Sequence, residues 1–103
     1  MREGAMGVGS SLIYAPGNFA DTDELIALVG VAAEYDGSYI SHLRSEGSRL
    51  EEGVQELIKI ASITGAPAEI YHLKASGRSN WHTLSTVFEM IDMARAAGLF
   101  ITA

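Results

Sequence analysis

Apolar positions along the chain fall into three helical stripes separated by short apolar runs. Leu25, Leu28, Val29, Ala32 and Ala33 follow the i, i+3, i+4, i+7, i+8 template of one helix face. Asp21 or Thr22 caps that helix, Asp23 and Glu24 lie where the helix dipole favours anions, and Asp36-Gly37 ends it. Leu50, Val54, Leu57, Ile58 and Ala61 mark a second helix, opened by a Ser48/Glu51 capping box and stopped by Gly65 and Pro67. Leu84, Val87, Phe88, Ile91 and Ala94 mark a third, with Ser79 or Asn80 as its cap and Gly98 at its close. The runs Met6–Tyr14, Ser38–Arg44, Ala68–Lys74 and Leu99–Thr102 read as strands. Gly7 and Gly9 weaken the first of them or permit a close backbone approach, and Ala15-Pro16-Gly17-Asn18 is a loop.

The predicted order is β-α-β-α-β-α-β with short connections, an α/β class whose alternation implies a parallel sheet with right-handed crossovers. Two closures satisfy it. One is a small open sheet with helices on both faces. The other is an arc of a (β/α)8 TIM barrel with every helice outside the sheet; a whole barrel needs about 250 residues, so residues 1–103 would form one partial domain, a parallel half-barrel.

A near repeat favours the barrel arc. Ile40-Ser41-His42-Leu43-Arg44 and Ile70-Tyr71-His72-Leu73-Lys74 share Ile-x-His-Leu-cation, with the histidines thirty residues apart, about the length of one strand–helix–strand unit. Strand residues alternate faces, so Ile40, His42 and Arg44 are expected on one face and Ile70, His72 and Lys74 on the matching face. Two imidazoles on adjacent strands suit a divalent metal such as zinc, and Arg44 and Lys74, nearer the strand ends, could hold a substrate carboxylate. The plainer reading is that each histidine is a hydrogen-bonded strand residue. A catalytic zinc usually has about three protein ligands, and no third is evident in the pattern.

Other chemistry is weaker. Gly7-Val8-Gly9-Ser10-Ser11 lacks the third glycine of a dinucleotide fingerprint and no helix follows it directly. His82, beside Trp81 in a first helical turn, reads as a rim residue. Asp21, Asp23 and Glu24 are explained by capping, and Glu51, Glu52 and Glu56 by a solvated helix face. Composition narrows the partners. A net charge of −6 argues against nucleic acid and anionic membranes, and 48% hydrophobic residues argue for a packed core. With no cysteine there is no disulfide or thiolate ligand, which suits a cytoplasmic setting, and no run approaches the ~18 apolar residues of a membrane span.

The two histidine motifs, with Gly77-Arg78-Ser79-Asn80-Trp81 and Leu12-Ile13-Tyr14-Ala15-Pro16-Gly17, resemble the central barrel segment of the N-acyl-D-amino-acid deacylases (D-aminoacylases) of the amidohydrolase superfamily. The resemblance covers essentially the whole chain in order. It implies that His42 and His72 are zinc ligands, that Lys74 helps bind the carboxylate of an N-acyl-D-amino acid, and that the parent hydrolyses the amide with a zinc-activated water. A contact from Arg44 to substrate is expected from geometry alone. The family's amino-terminal His-x-His pair, its thiolate or carboxylate metal ligand, its late Asp base and its Tyr-rich substrate motif have no counterpart here, and His82 stands where a small residue is expected. The expectation is therefore an internal fragment with no catalytic residue of its own and little or no activity. Zinc is assigned to the parent enzyme rather than to the fragment alone. A half-barrel would expose two sheet edges and an apolar inner face, so a homo-oligomer is expected. The alternative is a non-catalytic, self-associating α/β module that binds a small anion through Arg44, Lys74 and Arg78.

Overall fold

The computed structural model describes residues 1–103. Its elements are β1 (Gly7–Ser11), α1 (Thr22–Ala33), β2 (Ser38–His42), α2 (Leu50–Thr64), β3 (Ala68–Ile70), α3 (Thr83–Ala96) and β4 (Ile101–Thr102). Short 3-10 turns lie at Gly17–Phe19 and Arg78–Asn80. All strand pairs are parallel and the sheet order is β1-β2-β3-β4, the order of the chain. Right-handed crossovers between strands in unbroken sequence order place every helix on one face. A sheet wound on both faces would have to reverse its order, so the chain forms the barrel arc rather than the open sheet.

That one-sidedness sorts the side chains. Tyr39, Ser41, Ala68, Ile70 and Ile101 point to the helices and are buried, whereas Gly9, Ile40 and Glu69 lie on the uncovered face. Leu25, Val29 and Ala32 of α1, Leu50, Val54, Leu57, Ile60 and Ala61 of α2, and Val87, Ile91 and Ala94 of α3 complete the core. The middle helix α2 packs against both α1 and α3 and buries the broadest face. Leu28 and Phe88, expected in the stripes, are half exposed, because α1 and α3 each have a helix on one side only.

Local signals explain most boundaries. The Glu24 amide donates to Asp21 Oδ1 at 2.8 Å, so Asp21 caps α1. Gly65 closes α2 in the left-handed region at φ 73°. Gly7 is required because a Cβ there would collide with the Ser38 carbonyl oxygen of β2. The Ser48/Glu51 capping box does not form: α2 starts at Leu50, after Arg49, with no side-chain cap, and the Leu50 amide closes a turn onto the Gly47 carbonyl at 3.0 Å. The strands are also shorter than the apolar runs. β2 stops at His42 rather than Arg44, β3 at Ile70 rather than Lys74, β1 at Ser11 rather than Tyr14, and β4 covers only Ile101–Thr102. No helix is long and apolar enough to cross a membrane.

Under the helices, Ser10 Oγ donates to Ser41 Oγ at 3.0 Å and meets the Tyr39 hydroxyl at 2.8 Å. One hydroxyl proton cannot serve both bonds, so Tyr39 donates to Ser10. Burial raises the Tyr39 phenol above its usual value. The folded chain therefore holds this proton more tightly than the unfolded chain, and its contribution to stability is lost as pH rises above about 10. Tyr39→Phe should cost about 1 kcal/mol at neutral pH through the lost bond and should flatten the alkaline decline. Denaturant titrations at neutral pH and above pH ~10 check both, and an alkaline decline as steep as the wild type's would contradict the assignment.

Candidate metal centre

β2 delivers His42 at its last residue, on the uncovered face. His72 arrives differently. The register pairs Ser41 with Ile70, a separation of 29 residues, while the sequence motifs repeat every 30. A one-residue offset reverses the face of every side chain. Ile70 thus faces the helices while Ile40 does not, and the expected matching of the two Ile-x-His faces is incorrect. The histidines nevertheless meet, because β3 ends at Ile70 and His72 takes a left-handed conformation at φ 41° that turns its ring back. The two imidazoles pack edge to face with centroids 4.5 Å apart.

The third member is Glu46, in the loop after β2. Its Oε1 lies 3.4 Å from His42 Nε2, 3.4 Å from His72 Nδ1 and 2.6 Å from Lys74 Nζ. The Ser76 amide donates to the Glu46 carbonyl at 2.7 Å and ties the loop after β2 to the loop after β3. Glu46 is buried, and ligand atoms of His42, Glu46 and His72 all lie within 4.8 Å of one another. Two imidazoles and a carboxylate are a donor set for a divalent metal. The seat already draws a cation, since the Lys74 ammonium donates to Glu46 Oε1 and, at 2.9 Å, to His72 Nδ1. The residues therefore fit a metal ion.

Glu46, four residues after His42 and two beyond the Ile-x-His-Leu-cation motif, is not marked by the pattern. Its one local signal is a lone carboxylate beside Gly47, in the loop that follows the first histidine. Tyr14 and Tyr71 were also passed over. Their rings flank the pair, with centroids 5.1 Å from His42 and 4.5 Å from His72 respectively. A shallow cavity of about 290 Å³ opens beside them, lined by Gly9, Ser10, Ser11, Ile40, His42 and Tyr71.

Arg44 is not brought into this cluster. The strand has ended, so alternation no longer governs its direction, and it runs to α2. It donates twice to Glu56, at 2.9 Å each, and to the Asn18 and Ala20 carbonyl oxygens at 3.1 and 2.8 Å. The Glu56 carboxylate raises the Arg44 pKa further. Glu56, read as part of a solvated face, is thus half of a bidentate ion pair and also accepts from Thr22 Oγ1 at 2.8 Å. Arg78 lies over the Trp81 ring at 5.8 Å, and His82 is exposed. The three cations of an anion-binding module have separate partners, two of them carboxylates.

No family model matches the chain. It is 35% identical, over 99 residues or 96% of its length, to the N-acyl-D-glutamate deacylase of Alcaligenes xylosoxydans xylosoxydans. It spans 20% of that protein's length. Among solved structures it resembles the N-acyl-D-glutamate deacylase from Bordetella bronchiseptica, complexed with zinc and a phosphonate mimic of the tetrahedral intermediate, with a TM-score of 0.92 and 35% identity. That match covers 95% of this chain and 21% of the other. It also resembles a D-aminoacylase variant in complex with CuCl2, with a TM-score of 0.89 and 26% identity, over 97% of this chain and 21% of that one.

Proposed function

We propose, for a chain homologous to N-acyl-D-glutamate deacylase and D-aminoacylase over about a fifth of their length, that it supplies the histidine metal pair and the substrate-carboxylate cation of an N-acyl-D-amino-acid amidohydrolase. One observation carries the reading: His42, Glu46, His72 and Lys74 converge at the carboxyl ends of adjacent strands, where barrel sites form. His42 and His72 would hold zinc, with Glu46 as the carboxylate facing both rings. Bound there, zinc supplies an acidified water and a Lewis acid for an amide carbonyl.

The chain's own residues account for binding and orientation. Lys74 offers its ammonium to the carboxylate of the D-amino acid. Arg44 would have to leave Glu56 and two carbonyls to do the same, so Lys74 is the preferred anchor and Arg44 braces the loop around Ala20 against α2. Tyr14 and Tyr71 pack their rings edge to face against His42 and His72 and help to orient the imidazoles. No residue of the chain is assigned as the general base. Residues 1–103 are taken as one partial barrel unit, a contributor to a catalytic centre rather than the whole of it.

We extend the proposal to assembly. β1 and β4 are both edge strands, and the face that carries Ile40 and Tyr71 has no helix over it. Unpaired strand edges and an uncovered face favour a second copy. The isolated chain should scatter light as an oligomer, and a monomer at every concentration would refute this. Zinc tests the site itself. Dialysed against zinc and analysed by mass spectrometry of the metal, the chain should retain it in simple stoichiometry, and His42→Ala and His72→Ala should each lower affinity by on the order of tenfold or more. Retention undiminished in both variants would place the metal elsewhere.

A further inference from the structure

We propose that the Lys74 ammonium and a divalent metal ion are alternative occupants of the His42–Glu46–His72 seat, so that metal loading displaces Lys74 and frees it for an anion. The inference rests on the metal reading above and adds to it an order of events: metal first, carboxylate second.

The hydrogen bonds force the exchange. An ammonium only donates, so the His72 Nδ1 lone pair accepts from Lys74 and the proton of the neutral ring is on Nε2. A metal binds an unprotonated ring nitrogen. If it binds Nδ1, it takes the lone pair that Lys74 occupies. If it binds Nε2, the ring proton must move to Nδ1, where it would face the ammonium's own proton. The nearest acceptor for it there is Glu46 Oε1, 3.4 Å away. The Lys74–His72 bond breaks in either case.

Glu46 Oε1 is the shared atom, facing both imidazoles and the ammonium. A dication beside this oxygen also repels a monocation within the same few ångströms. Little else holds the lysine: its side chain is 49% exposed, and its ammonium has no hydrogen-bond partner beyond Glu46 and His72. Without metal, Glu46 neutralises the cation that a substrate carboxylate would need. With metal, Glu46 and His72 are engaged and Lys74 is released beside them.

Two readouts test this on the full chain, with zinc as the probe. Lys59, exposed on α2, is the only other lysine and serves as an internal reference. Under an amine-reactive ester, added zinc should raise the Lys74-to-Lys59 acylation ratio several-fold, read by peptide mass spectrometry. Competition against a chromophoric chelator should show Lys74→Met binding zinc about tenfold more tightly, about 1.4 kcal/mol, with Lys59→Met unchanged as the charge control. Zinc binding with an unchanged acylation ratio, or equal affinity in Lys74→Met and wild type, overturns the exchange and leaves the metal site standing. No zinc binding by either wild type or Lys74→Met overturns the metal reading and the exchange together.

Discussion

Ser41 and Ile70 lie side by side in the sheet, and this register governs what the site can be. It sends Ile70 to the helices and would send a continued strand's residue 72 there as well. The chain avoids that outcome by ending β3 after three residues and turning His72 through a left-handed backbone conformation. Such a conformation is unfavourable for a residue with a Cβ, and it persists only where the surroundings hold it. Here the holding contacts are those of the candidate centre: the His42 ring, the Tyr71 ring and the Lys74–Glu46 pair.

Glu46 binds these contacts into one unit. A carboxylate with little access to water needs compensating partners. It has Lys74 directly, both imidazoles at longer range, and the backbone link from Ser76 that fixes its loop. The same negative charge accounts for two properties at once. It draws the Lys74 ammonium into the cluster, and it is the charge that the proposed metal ion would share. Arg44 and Glu56 play the corresponding part on the helix side, joining the loop near Ala20 to α2 away from the chemistry.

Much of the fold was legible in the residues. Leu25, Val29 and Ala32, or Val54, Leu57 and Ala61, recur at helical spacing because one face must be buried, and these faces are buried. Asp21 and Gly65 acted as cap and stop. The alternation of short units gave the α/β class and parallel strands but left two sheet closures open, and the repeat marked His42 and His72 while predicting a matching of faces that the register does not have. What was not legible depended on where hydrogen bonding stops. Apolar runs continue past the ends of β2 and β3, so alternation was carried too far, to Arg44 and to Lys74. Ser48 and Glu51 had the composition of a capping box, but the turn from Gly47 to Leu50 started the helix one residue late for it. Glu46 escaped because its role depends on contacts that span two loops, which no local pattern records.

One register offset and one turned residue bring two imidazoles together, and a single metal ion is proposed to bind both. X-ray absorption at the zinc edge of the loaded chain tests it most directly. The first shell should include two imidazole nitrogens with the multiple-scattering signature of histidine, reduced to one in His72→Ala. A shell of oxygen atoms alone, or one unchanged by that substitution, would contradict it.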